Sequence, residues 1–222
     1  TFPCSIFGKP TVKDVIESLG APHTEVDLIL INGRSTGFSH HLTRGDRLSV
    51  YPVFESLDIK PILKVRPKPL REPRFVLDTH LGKLATYLRM CGFDTLYRND
   101  YDDSELAAIS KKEHRILLTR DRGLLKRSAV THGYLVREYD PSEQAAEIVR
   151  RFDLSNMIRP FRLCLRCNRE LEPISKESIK HKVPPLVFVN NEEFSSCPKC
   201  GRVYWQGSHH KRMYAFIHSL RS

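Results

Sequence analysis

Two kinds of side chain in this sequence are spaced for metal chemistry. Cys164-Leu-Arg-Cys167 and Cys197-Pro-Lys-Cys200 are matched Cys-x-x-Cys pairs. A turn of this type aims two thiolates at one ion, and two such turns close a tetrahedral Cys4 zinc site. The pairs are separated by 29 residues, longer than the common gap of about 15–20. The extra length includes KESIKHKVPPLV, expected to be an inserted loop or hairpin. With four thiolates and no open ligand position, the zinc is expected to be structural. It would supply on the order of 10–16 kcal/mol of local folding free energy to a short, polar, basic segment. A redox dithiol is the competing use of a Cys-x-x-Cys, and two matched pairs favour the metal.

The second set is acidic. Asp78 ends RFVLD, Asp103 opens the helix read in DDSELAAISKKE, and Asp121 follows ILLTR. Three separated stretches thus bring carboxylates towards one rim. Packed together without a cation they would repel and partly protonate. A hard cation, Mg²⁺ or Mn²⁺, relieves this through oxygen ligands. Such a site can hold a phosphodiester oxygen and activate water, and with two metals about 3.5–4 Å apart it becomes a nuclease clamp. The competing role is helix capping, since Asp is a favoured N-cap. Asp102-x-x-Glu105 fits a capping box, which leaves Asp103 without a capping task. No Ser–His or Cys–His pairing with supporting spacing and no glycine-rich phosphate loop is present, so acyl transfer and NTP hydrolysis have little support.

The elements that must position these residues follow from periodicity. RFVLD, FDTLYR, HRILLTRD and GYLVRE read as strands. HLGKLATYLRMCG, DDSELAAISKKE, RGLLKR and SEQAAEIVRRF read as helices, the first with Leu81, Leu84, Ala85 and Leu88 on one face and Gly92 as its stop. Strands alternating with helices imply an α/β fold with a parallel sheet, whose strand C-termini form the edge where sites assemble. Before this segment, Thr11 is a plausible N-cap for VKDVIESLG, with Val12, Val15, Ile16 and Leu19 on one face. VDLILING is a buried strand ending in an Asn32-Gly33 turn. RGDRLSVYPVF is another strand, with Leu48 and Val50 alternating. Residues 58–74 carry Pro61, Pro67, Pro69 and Pro73 between basic residues and read as an extended linker.

The chain has 222 residues and a formal net charge of +10. The excess is uneven: residues 58–74 hold 6 basic against 2 acidic side chains, and residues 154–222 hold 12 against 5. A basic arm and a basic tail beside an acidic pocket suit a polyanion held across a metal site. Apolar runs are a handful of residues, so no membrane span is expected. No signal peptide is visible, and the cysteine pattern points to a reducing, cytoplasmic compartment.

FVLD, DSELAA and ILLTRD together resemble the PIN-type nuclease signature. More closely, FVLDTHLGKLATYLRMCGFDT, DDSELAAI and RILLTRDRGLL with the distal YWQGSHHKRM resemble the Mut-seven C-terminal ribonuclease family. That family joins a PIN-like domain to a zinc ribbon and is sometimes preceded by a ubiquitin-like module. The segment GAPHTEVDLILING…GDRLSVYPVF is similar to the β-grasp sulfur carriers, although it lacks one initial strand and a Gly-Gly tail. The resemblance implies a PIN-like parallel-sheet three-layer domain at 74–155. A Cys4 zinc ribbon and C-terminal helix at 156–222 would follow it. A β-grasp module at 1–57 and a basic linker at 58–73 would precede it. It implies a metal-dependent ribonuclease with Asp78, Asp103 and Asp121 as the metal-binding acids and RNA as substrate. The β-grasp module would then recruit a protein partner or substrate. PIN domains typically add a Glu between the first two acids; here only Asp94, Asp100 and Asp102 intervene, which leaves the number of metals open. A non-catalytic RNA-binding or adaptor protein on the same fold is the alternative.

Further candidates contact RNA rather than metal. Trp205, His209 and Lys211 combine stacking, hydrogen bonding and charge. Trp205 also reads as an anchor of the ribbon. Lys83, Arg120 and Arg122 flank the acids and could reach phosphate. Arg162, Arg166, Arg169, Lys199 and Arg202 could let the ribbon grip the strand. Cys91 reads as core packing.

Overall fold

The computed structural model describes residues 2–52 and 73–221, the side chains of Ser208 and His209 excepted. The expected linker 58–73 therefore lies almost wholly outside the described residues, as does the expected role of His209.

Helix α1 (Val12–Ser18) starts at a reciprocal capping box: Asp14 N–H donates to Thr11 Oγ1 at 3.2 Å, and Thr11 N–H donates to the Asp14 carboxylate at 3.0 Å. Val12, Val15 and Ile16 bury against Val26, Ile29, Ile31 and Leu42. Leu19, expected on the same face, is the C-cap and is 51% exposed, because the chain leaves the helix there and turns at Gly20, φ +93°. Strand β1 (Val26–Ile31) is central in an antiparallel sheet, with β2 (Arg34–Ser35) on one side and β3 (Leu48–Pro52) on the other. Asn32 and Gly33 both take positive φ, +50° and +81°, as a tight right-twisted hairpin requires. Val50 is exposed, so β3 does not show the expected clean alternation. It lies at one side of this sheet and is covered less than β1.

The next segment alternates as expected: β4 (Phe75–Leu77), α2 (Gly82–Met90), β5 (Thr95–Leu96), α3 (Asp103–Glu113), β6 (Ile116–Thr119), α4 (Arg122–Lys126), β7 (Gly133–Leu135) and α5 (Pro141–Arg151). Strands β4, β6 and β7 pair in parallel, with Leu77 opposite Leu118 and Leu118 opposite Tyr134. The strands are shorter than the runs that announced them: FDTLYR contributes only Thr95 and Leu96.

The C-terminal segment holds β8 (Glu172–Pro173), α6 (Pro185–Asn190), β9 (Phe194–Ser196), β10 (Val203–Trp205) and α7 (Ser208–Ser219). The three strands form an antiparallel sheet in the order β10-β9-β8. The long insertion between the cysteine pairs is not a hairpin or an open loop. It is a helical turn, Lys176–Ile179, followed by α6. Pro185 sits in the first turn of α6, where its missing N–H costs nothing. Ile179 and Val183 from the insertion bury with Phe194, and Trp205 packs against them.

The chain forms two compact units. One contains residues up to Asp78 together with Asp100–Val136; the other contains Thr79–Asn99 together with Arg137 onwards. Within the first, the N-terminal module meets the α/β segment. His23 Nε2 lies 3.0 Å from the Val130 carbonyl, and Leu135 N–H donates to Glu25 at 2.9 Å. Within the second, α2 is bound to the ribbon. Arg89 donates to the carbonyls of Leu165 and Arg166 at 3.0 and 2.9 Å, and Thr95 N–H donates to Asn168 Oδ1 at 2.9 Å.

Gly92 closes α2 at φ +91°, and a Cβ there would stand 2.0 Å from the Arg159 carbonyl oxygen. That carbonyl's residue also donates its N–H to Cys91 O at 2.9 Å, so the backbone cannot retreat without losing a bond. Gly92→Ala should lower stability by more than about 2 kcal/mol, read as a drop in the denaturant midpoint. Cys91 is buried, as expected, and burial pushes its thiol up to about 12.

Three helix caps and one turn rest on carboxylates drawn below their ordinary value. For Asp14 the largest cause is the Thr11 hydroxyl, for Asp102 that of Ser104, for Asp140 that of Ser142, and for Asp46 the Thr43 N–H. A carboxylate lowered in the folded state stabilises above its unfolded value, 3.8, and loses that contribution as pH falls through the folded value. Stability should therefore decline once pH drops below about 4, measured as urea midpoint against pH.

Candidate metal centres

The four cysteines stand together. Each pair sits on the same backbone turn: Cys164 N–H donates to Arg169 O at 2.7 Å, and Cys197 N–H donates to Arg202 O at 3.0 Å. Asn168 and Gly201 take the equivalent left-handed position, at φ +61° and +67°. This orients both sulfurs of a pair to one side. The Sγ atoms of Cys164 and Cys200 are 3.7 Å apart, those of Cys164 and Cys167 3.4 Å, and those of Cys167 and Cys197 3.3 Å. All four lie within 4.8 Å of one another. A zinc tetrahedron with Zn–S bonds of about 2.3 Å has edges near 3.8 Å, so the donor set fits zinc.

Electrostatics favour a thiolate at the first position. Burial raises the Cys164 thiol, but the Tyr204 hydroxyl and the N–H groups of Cys167 and Arg166 outweigh it, leaving it lowered to about 6. Cys167 moves the other way, up to about 12, through burial and the neighbouring sulfurs. Tyr204 lies 3.2 Å from Cys164 Sγ and accepts from Leu165 N–H at 3.1 Å. Sequence patterns alone do not mark Tyr204, Asn168 or Arg89. Tyr204 and Arg89 bond the backbone of the first cysteine turn and Asn168 ties that turn to Thr95, and no local motif announces such roles.

The aspartates lie at the end of the parallel sheet or on the helices that leave it, all in the first unit. Asp78 follows β4 and is buried; its Oδ2 accepts from Thr119 Oγ1 at 2.5 Å. The same Thr119 oxygen accepts from Asp121 N–H at 2.9 Å. Thr119 therefore joins the two strand ends through one hydroxyl. Asp121 also caps α4: its Oδ1 accepts from Gly123 N–H at 2.6 Å. Asp102 caps α3 through the expected box with Glu105. Asp103, in the first turn, pairs with Arg127 Nη2 at 3.2 Å. Among the described residues, the only group of three or more Cys, His or acidic side chains with ligand atoms within mutual reach of one ion is the cysteine set. Thr119 links Asp78 and Asp121, whereas Asp103 is paired with Arg127 instead; the donor atoms of all three are oxygen, as Mg²⁺ or Mn²⁺ prefers.

The remaining candidates divide. Lys83, Arg122 and Lys211 are exposed, and Arg120 is half-buried. Trp205 is a partly buried member of the small ribbon core, which supports the anchor reading. In the ribbon, Arg162 donates to Gly92 O at 3.0 Å and pairs with Glu170, while Arg166, Arg169, Lys199 and Arg202 are exposed.

Fold and sites together define an α/β protein whose parallel sheet ends in acids and whose C-terminal segment carries four clustered cysteines. The Mut7-C RNAse domain matches residues 73–217, and the Mut7-C ubiquitin domain matches residues 1–58. The chain belongs to the Mut7-C RNAse domain family, with the ubiquitin-like domain at its N-terminus. Neither the curated proteins nor the solved structures compared with the chain gave a match. Among the described residues no helix is long and apolar enough to cross a membrane.

Proposed function

We propose that this protein is a metal-dependent ribonuclease that hydrolyses RNA phosphodiester bonds. The domain organisation proposed with it is a ubiquitin-like module at 1–57, a linker at 58–73, a PIN-like three-layer domain at 74–155, and a zinc ribbon with its helix at 156–222. The observation that carries the activity is the Mut7-C RNAse match across the segment that holds Asp78, Thr119 and Asp121 in one hydrogen-bonded chain. Asp78, Asp103 and Asp121 are the residues that would hold Mg²⁺ or Mn²⁺. When bound, the ion supplies charge neutralisation at the phosphodiester and a more acidic water.

The chain's own groups do the rest. Thr119 orients the buried Asp78 carboxylate, and Asp121 is fixed by its cap bond. Asp103 would hold the ion in place of its partly exposed Arg127 partner, which would leave the Arg127 guanidinium to meet the phosphate. Arg120, Arg122 and Lys83 add positive charge for the strand. The four cysteines hold a structural zinc, and the compartment is a reducing one, cytoplasmic in this reading. The ubiquitin-like module binds a protein partner.

The alternative, an RNA-binding or adaptor protein without cleavage, is favoured by one specific arrangement: Asp103 and Asp121 are already occupied by Arg127 and by the α4 N-terminus. Labelled single-stranded RNA incubated with Mn²⁺ or Mg²⁺ decides between them. Cleavage by the wild type that disappears in Asp121→Asn supports the nuclease. Intact RNA across several RNA classes, with binding retained, establishes the adaptor.

A further inference from the structure

The second unit contains a cleft of about 350 Å³ that neither metal centre uses. Its lining mixes aliphatic and aromatic side chains: Phe161 stacks with His210 and Tyr214 from α7 as one wall, and Trp205 from β10 adds a further ring. The Phe161 and His210 rings are 4.3 Å apart, and Phe161 and Tyr214 are nearly parallel, 21° at 6.3 Å. Phe161 holds a left-handed φ of +59°, fixed by its N–H bond to Met90 O at 3.0 Å. The wall is therefore preorganised rather than formed by collapse. Tyr214 remains half exposed, so ring surface is available for stacking.

We propose that this cleft binds one unpaired guanine base of the RNA strand. The inference rests on the reading that RNA is the substrate. The open ring face of Tyr214 at the end of this stacked wall suits a nucleobase, because every base offers a π-face to stack. The surrounding segment, 154–222, is strongly basic, and the exposed Lys211 lies one turn before Tyr214 on α7, placed to meet the adjoining phosphate. Within this basic setting the lining includes one acid, Glu193. A carboxylate is acceptor-only and would repel phosphate, so its partner is a base edge rich in N–H donors. Guanine alone presents two adjacent donors, N1–H and the N2 amino group, matching the two carboxylate oxygens.

The floor of the cleft is tied to the first cysteine turn. Leu165 and Tyr204 both line it, and Leu165 N–H donates to the Tyr204 hydroxyl. Zinc held by the cysteines would therefore also fix this floor.

Trp205 is the only tryptophan in the chain, so its fluorescence reports the cleft directly. The zinc-loaded full chain, with no other divalent ion present, is titrated with GMP, AMP, CMP and UMP. GMP should quench saturably and bind at least about fivefold tighter than AMP. Glu193→Gln should reduce GMP to the affinity of AMP while leaving AMP unchanged. Tyr214→Ala should weaken both by roughly fivefold or more. Both variants change exposed side chains, and retained zinc content verifies their fold. Equal affinity for the four nucleotides, or no saturable quenching, overturns the proposal. Because this assay reads binding without cleavage, a failed nuclease assay leaves its result standing, and absent quenching leaves the cleavage result standing.

Discussion

Removing the metal from the four cysteines should unfold the C-terminal segment while leaving the ubiquitin-like module folded. The ribbon's strands are two or three residues long, its own buried cluster is Ile179, Val183 and Phe194, and Ile158, Leu163, Ile217 and Leu220 are the other buried aliphatic residues described in the segment. A core of that size cannot offset the ordering entropy of the whole 156–222 segment, at about 1–2 kcal/mol per residue for the backbone alone. A structural zinc contributes on the order of 10–16 kcal/mol, more than any other single interaction this segment makes. Without it the thiol sulfurs, packed 3.3 to 3.7 Å apart, have no shared partner. The loss spreads to α2, because Arg89 spends two hydrogen bonds on the first cysteine turn and Asn168 another on Thr95. A chelator, or Cys167→Ser, should therefore cost most of the second unit's stability. Amide exchange should show loss of protection in 79–99 and 156–221 with retention in 11–52. Unchanged protection around Cys164 and Cys197 after verified metal removal contradicts the structural role.

What sequence reasoning captured follows from how local each signal is. The Thr11 and Asp102 caps, the Gly92 stop and the Asn32-Gly33 turn are legible because each depends on neighbours within four residues. The cysteine set was legible because one ion imposes one spacing on each pair. The insertion between the pairs was misjudged. Extra length between the pairs does not separate a loop from a helix, and Pro185 in the first turn starts a helix there. Periodicity puts Leu19 on the buried face because it does not announce the turn in which a helix stops. Nothing in LLTRD announces Thr119, since its role exists only once β4 and β6 lie side by side. His210 and Tyr214 share a face of α7 at i, i+4 spacing, but no spacing relates either to Phe161, which its N–H bond to Met90 O holds in place.

Asp78→Asn should abolish cleavage while leaving the fold intact. The side chains are nearly isosteric, so β4 keeps its packing, and an amide can still accept from Thr119 Oγ1. The lost property is charge: a neutral amide oxygen neither neutralises a cation nor balances the charge developing on the phosphodiester. Losing one such electrostatic group at a preorganised centre costs roughly 10²–10³ in kcat, and the same range is expected for Asp121→Asn. Thr119→Val separates charge from orientation. It keeps all three carboxylates and removes the hydroxyl that donates to Asp78 and accepts from Asp121 N–H. A supporting residue of this kind is worth about 10–100-fold in metal affinity or activity, so activity lost in Thr119→Val should recover partly as Mn²⁺ is raised. Loss in Asp78→Asn should not recover, because no carboxylate is left to reorient. If both variants cleave as fast as the wild type, the sheet-edge acids are helix caps and buried hydrogen-bond acceptors only, and the family's chemistry is not performed at this edge.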